Sequence, residues 1–175
     1  MATSTTRLMT FEEFEQIPNP PGGAYELHHG ELVEVRYPQF PHVRAQWQLR
    51  QLLQAAAGDA GRVHTEFPYR PLPEYEGWRA DVVYLSKERW DGIDRYFSGA
   101  PELVVEVLSP SNKTAELHEK RKLCLENGSR EFWVVNTDLR QIEITTPDGH
   151  STIYKSGQKV ALFFGGELNV SEVFA

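Results

Sequence analysis

Two carboxylates stand inside otherwise apolar stretches. Glu106 interrupts Leu103-Val104-Val105-Glu106-Val107-Leu108 near its end, and Asp81 stands near the start of Ala80-Asp81-Val82-Val83-Tyr84-Leu85. A buried, unpaired carboxylate is costly, so each acid either emerges into a site or carries a compensating cation. If the two strands pair antiparallel, the start of one meets the end of the other and the carboxylates converge. Two close carboxylates repel unless a cation lies between them. Mg²⁺ suits oxygen-only ligands, takes one or two carboxylates and leaves its remaining positions to water or phosphate oxygens. Such an ion activates water and stabilises charge on a phosphoryl centre. Lys120, one helix after Glu106, could reach a water or phosphate oxygen beside the ion. Structural alternatives stay open here. Glu116 and Lys120 have the i, i+4 spacing of a surface ion pair, and Asp81 could pair with Arg79.

The elements that must position these groups follow from local patterns. Thr10 and Glu13 form a capping box for a short helix carrying Phe11 and Phe14. Tyr25–His28 and Glu31–Val35 read as a hairpin turning at His29-Gly30. From His42 to Ala57 the period is helical, with Val43, Trp47, Leu49, Leu52, Leu53 and Ala56 as the apolar stripe and Gly58 as the stop. Arg62 to Tyr69 alternates, which puts Val63, Thr65, Phe67 and Tyr69 on one side. Pro68 confines that strand to an edge or to its own end. Arg79–Leu85 is the next strand, and Ser86–Trp90 a helical turn. The Glu106 strand spans about 102–108 and is closed by Pro110. Thr114 to Asn127 is a helix with Leu117, Arg121, Cys124 and Leu125 inward, and 130–136 is a strongly apolar strand. A strand–helix–strand order with so long a connection favours a parallel, right-handed crossover. A hairpin over 141–154, a strand over 160–164 and a terminal turn over 171–174 complete the chain. The expected fold class is α+β with an α/β core: one mixed sheet flanked by helices.

The chain has 175 residues, 40% of them hydrophobic and 25% charged. That suits one soluble domain over residues 1–175, with residues 1–9 as a polar, disordered tail. A single cysteine excludes an intramolecular disulfide and a cysteine-based zinc site. No run is apolar enough to span a bilayer, and Met1 to Thr10 lacks the apolar core of a signal peptide, so the expected place is the cytoplasm, with no membrane. The net charge of −7 argues against an unspecific nucleic-acid coat. It leaves room for a nuclease, whose metal site collects acids.

An ordered set of motifs resembles a known family. Tyr25-Glu26-Leu27, Gly30-Glu31-Leu32, His42, Ala80-Asp81-Val82, Glu102-Leu103-Val104-Val105-Glu106-Val107-Leu108-Ser109-Pro110-Ser111, Glu116 with Lys120, and Glu131-Phe132-Trp133-Val134-Val135 look like the bacterial Uma-two family, whose members are taken for endonucleases of the PD-(D/E)XK, restriction-endonuclease-like superfamily. The resemblance covers about residues 10–145. It implies a restriction-endonuclease-like mixed sheet and Mg²⁺- or Mn²⁺-dependent hydrolysis of DNA. It further implies that Asp81 and Glu106 bind the metal with the backbone carbonyl of Val107, and that Lys120 positions the attacking water. Glu31 and His42 match recurrent family positions without an assigned role. Leu108 stands in the usual lysine slot, so activity requires the lysine that has moved to the helix. Ala80 replaces a proline, Glu116 an aspartate and Cys124 a tyrosine. Fold analogy suggests a homodimer, since two strands need two sites.

The other candidates are weaker. His28, His29 and His64 lack convergent zinc spacing. Cys124 reads as a small core hydrophobe rather than a nucleophile. Gly165-Gly166 reads as a turn rather than a phosphate loop. Lys113, Lys120, Arg121, Lys122 and Arg130 form the most basic segment, diluted by Glu116, Glu119 and Glu126. Two further readings stay open: a non-catalytic nucleic-acid- or protein-binding member of the nuclease fold, and an accessory protein of a mobile element.

Overall fold

The computed structural model describes residues 7–109 and 114–175. Residues 1–6 of the expected tail, and Pro110, Ser111 and Lys113, lie outside the described residues. Of residues 7–9, Met9 donates its N–H to the Gly30 carbonyl at 3.0 Å. The capping box forms as expected: Thr10 accepts from the Glu13 N–H, the Glu13 carboxylate accepts from the Thr10 N–H, and helix α1 (Phe11–Phe14) follows. The hairpin β1 (Gly23–His28) and β2 (Glu31–Arg36) is a separate two-stranded sheet.

Helix α2 (Phe40–Ala57) starts two residues earlier than its sequence pattern suggests, because Pro41 is suited to a first helical turn. Its inner face is Ala45, Gln46, Leu49, Leu53 and Ala57, while Val43 and Trp47 are 41% and 55% exposed. The sequence stripe therefore mixes two faces, because sheet packing selects the narrower set 45, 49, 53, 57. Leu49 and Leu53 are fully buried, each stabilising by about 1.5–3 kcal/mol.

The main sheet has the order β3 (Gly61–Tyr69), β4 (Trp78–Ser86), β5 (Leu103–Val107), β6 (Glu131–Asn136), β7 (Gln141–Thr145), β8 (Ser151–Lys155). β3 is an edge strand, which lets it hold Pro68. Helix α3 (Lys87–Asp91) follows β4. β4 pairs antiparallel with β5, and β5 pairs parallel with β6 across helix α4 (Thr114–Glu126), so the sheet is mixed and the parallel pairing is the expected one. β9 (Lys159–Ala161) pairs with β10 (Glu167–Asn169), a strand the sequence pattern did not reveal, around the Gly165-Gly166 turn. Helix α5 (Val170–Val173) closes the chain.

One core lies under α2, β9–β10 and α5. The other lies under α4 and contains Phe67, Ala80, Val104, Cys124 and Phe132. β3 contributes to both, contrary to the single face expected for its alternation. Val63 packs in the first core, whereas Phe67 and Tyr69 pack in the second. The side changes around Glu66, a non-glycine residue at φ 52°. Among the described residues no helix is long and apolar enough to cross a membrane.

Candidate functional site

The same irregularity sets the position of Asp81. The β3–β4 ladder pairs Thr65 with Val82 and Phe67 with Ala80 but skips the step between them, where Glu66 would face Asp81. A left-handed backbone at an ordinary residue costs about 1–2 kcal/mol. On the other side of β4 the ladder to β5 ends at Val82 and Val105. One step further, its register would set Asp81 opposite Glu106. The Asp81 side chain takes over there: Oδ2 accepts the Val107 N–H at 2.6 Å. The carboxylate thus replaces a backbone acceptor at the point where the two strands part.

Helix α2 holds the other oxygen. His42 and Gln46, one turn apart, both reach Asp81 Oδ1, at 3.0 and 2.9 Å. To donate there, His42 must carry its proton on Nε2. Its Nδ1 is buried and without a hydrogen-bond partner. Gln46, 4% exposed, spends its other amide hydrogen on Glu66 Oε1 at 2.6 Å.

Helix α4 brings Lys120 to the same side as Glu106. Lys120 Nζ lies 3.1 Å from Glu106 Oε1 and 3.8 Å from Glu26 Oε1, and donates to the Arg79 carbonyl at 2.9 Å. Lys120 is 9% exposed, so the solvated surface pairing that its spacing allowed is not what it makes. Glu26, from β1, is also buried. Its Oε1 accepts the Arg79 N–H at 2.9 Å and its Oε2 meets His28 Nε2 at 2.7 Å.

Three acids therefore face one ammonium. Burial pushes the Glu106 carboxyl well above its ordinary range, Lys120 opposes this, and the negative charges of Asp81 and Glu26 push it higher still. Burial alone would lower Lys120, but Glu106, Glu26 and Asp81 together hold it well above the usual lysine value. Glu26 ends below the usual carboxylate range: against the cost of burial stand Lys120, His28 and the Arg79 N–H. These groups line a cavity of about 560 Å³ shared by Glu26, His42, Glu66, Asp81, Glu106 and Lys120.

Of the residues singled out by sequence, the structure gathers Asp81, Glu106, Lys120 and His42, with Val107 touching Asp81 through its N–H. Glu31 stays exposed on β2, opposite His28, and is not among the residues lining this cavity. Glu26, Gln46 and Glu66 were not anticipated as site residues. Glu26 had a sequence signal, since it stands in the Tyr-Glu-Leu motif of an apolar strand. Gln46 and Glu66 had none, because a polar residue on a helix or edge strand ordinarily faces water.

Among the described residues no group of three or more His, Cys, Asp or Glu side chains forms a ready-made metal cage. The donor set nonetheless fits a hard divalent cation. It consists of oxygens, carries surplus negative charge, and includes the buried Glu106 Oε1, which has the Lys120 ammonium 3.1 Å away.

The family model Uma2, described as "Putative restriction endonuclease", matches residues 11–174. The chain belongs to that family. It is also similar to the crystal structure of a "putative nuclease belonging to DUF820" from Anabaena variabilis ATCC 29413, with a TM-score of 0.83. The two are 19% identical, and the match covers 95% of this chain and 97% of the other. At that identity the likeness shows the fold alone: an α+β architecture with a mixed six-stranded sheet flanked by helices. No curated protein matches the chain.

Proposed function

We propose that this member of the Uma2 family is a metal-dependent endonuclease that hydrolyses DNA phosphodiester bonds with a metal-activated water. The observation that carries this reading is the convergence of Asp81, Glu106 and Lys120 where β4 and β5 part, in a cavity with surplus negative charge. Restriction-endonuclease-like nucleases generally use divalent metals. Asp81 and Glu106 would hold Mg²⁺ or Mn²⁺ with the Val107 carbonyl, and the ion would supply Lewis acidity and a more acidic water.

The protein's own residues do the rest. His42 and Gln46 fix the Asp81 carboxylate in one orientation, an arrangement that second-neighbour hydrogen bonds commonly supply to metal ligands. Lys120 stays protonated, so it orients the water and stabilises the negative charge developing on the phosphoryl oxygens rather than acting as base. The water oxygen bonds to phosphorus as the phosphorus–oxygen ester bond breaks, a proton of that water passes to solvent, and the leaving oxygen takes a proton from solvent, giving a phosphate monoester and a hydroxyl.

The protein acts as a homodimer on this reading. Supporting it, Phe40, Val43 and Trp47 form one apolar line on α2, with Phe40 77% exposed. Light scattering on a sizing column measures the mass.

The test is Mg²⁺- or Mn²⁺-dependent cleavage of plasmid DNA by the wild type, Glu106→Gln and Lys120→Ala. Activity that falls at least about a hundredfold in both variants is expected. Equal nicking by all three proteins marks a contaminant and sinks the proposal. A second reading, a non-catalytic DNA-binding protein, draws on the Asp81 oxygens, both already engaged by protein donors. DNA binding without metal-dependent nicking by the wild type would select it.

A further inference from the structure

A second cavity, of about 670 Å³, adjoins the acidic one: Glu26 and Arg79 line both. Its character is different. Its walls include Phe67, Tyr69, Trp78, Trp90, Tyr96 and Phe97. The rings support one another edge-on: Phe67 against Phe97 with centroids 5.7 Å apart, Tyr69 against Trp78 at 5.9 Å. Four of the six are nearly buried, while Trp90 and Tyr96 are half-exposed.

Arg70 also lines this cavity. Its guanidinium lies 3.8 Å over the Phe11 ring. Backbone bonds with Phe97 and Gly99 fix the residue at 3.0 and 2.8 Å. Its Nε–H is buried with no acceptor, and among the described residues the guanidinium makes no ion pair. A cation held by stacking with an unused donor is left for a ligand to satisfy.

We infer that this cavity receives an unpaired nucleobase of the DNA strand whose backbone passes Asp81, Glu106 and Lys120. The inference rests on the nuclease reading of the acidic site and names the form of DNA it takes. Three features select that occupant. Aromatic walls offer stacking, which suits the π-face of every base. Arg70, which lines the cavity, offers the positive charge of its guanidinium to the acceptors of a base edge. Continuity across Glu26 and Arg79 places the base within the same strand as the phosphate. A paired and stacked base could not enter a cavity, so the substrate is single-stranded or locally unpaired DNA.

The experiment uses Glu106→Gln protein with Mg²⁺ and fluorescence anisotropy of labelled short oligonucleotides. Three ligands are compared: an unpaired strand, its duplex, and a base-free strand with the same backbone. The unpaired strand should bind about tenfold or more tighter than the base-free one, and tighter than the duplex. Adding Tyr96→Ala should bring that ratio near one. Equal affinity for the unpaired and base-free strands overturns the inference, as does a preference for duplex. The base-free comparison leaves the cavity intact, so it decides the matter even if Tyr96→Ala fails to fold. Binding of none of the three ligands removes the nuclease reading itself, an outcome distinct from binding that ignores bases.

Discussion

Replacing Lys120 by methionine keeps most of the side chain's volume and removes its charge. The ammonium lies 3.1 Å from Glu106 and 3.8 Å from Glu26, and the three side chains are only 11%, 8% and 9% exposed. At an effective dielectric constant of about 20, unit charges 3.1 Å apart attract by about 5 kcal/mol. Desolvating the ammonium offsets part of this, so the measured loss should fall in the range for breaking a buried pair, about 3–5 kcal/mol. For a chain of this size that is a fall in Tm of roughly 6–20 °C. The loss should also depend on pH. Against the cost of burial, Lys120 helps to hold Glu26 below its unfolded value of 4.5. A carboxyl that loses such help ionises at higher pH in the folded variant, so the variant falls further behind the wild type as pH rises above 4.5. Glu106, raised to about 8 by burial even beside Lys120, adds to the difference only as pH approaches and passes 8. The penalty is therefore smaller near pH 5 than near pH 8. Urea unfolding of wild type and Lys120→Met at both pH values measures it. Adding Glu106→Gln should recover much of the loss at pH 8. A loss below about 1 kcal/mol at pH 8 would place Lys120 in solvent. A loss equal at the two pH values, or one additive with Glu106→Gln within about 0.5 kcal/mol, would equally refute the buried-cluster argument.

Three other perturbations test the frame around the site. Gly61→Ala forces a Cβ to within 2.5 Å of the Leu85 carbonyl and against the Tyr84 ring, so it should lower stability by at least about 1–3 kcal/mol in denaturant unfolding. The Glu119 bond raises the His29 pKa above 6.5 against a smaller opposing effect of burial, and Glu76 adds to it. The pairing is then fully present below pH 6.5 and fades as pH rises through the folded value. His29→Gln should cost stability near pH 6 and little near pH 9, at most about 1 kcal/mol because the histidine is half-exposed. Burial pushes the Cys124 thiol up to about 12, so a thiol reagent at pH 8 should label it only after unfolding. Rapid labelling of the native protein would contradict its place beside Tyr69.

The acids, the parallel crossover and the hairpins were legible in the sequence because each rests on local signals. A carboxylate among valines is conspicuous whatever surrounds it. Strand–helix–strand order restricts topology, and the Thr10–Glu13 box and the His29-Gly30 turn are written within a few residues. Where the helices turn their faces was not legible. Val43 and Trp47 read as core and lie outside, while Gln46, outwardly a surface residue, holds Asp81. The division of β3 between two cores depends on one left-handed residue, Glu66, which alternation alone does not announce. Lys120 is the plainest case. Its spacing from Glu116 allowed a surface pair, and only the packing of α4 against the sheet carried its ammonium to Glu106 and Glu26. The sequence by itself determined which groups with chemistry the chain possesses and which strands carry them. The tertiary structure decided which of them meet, because burial and charge balance depend on groups brought together from β1, α2, β4, β5 and α4.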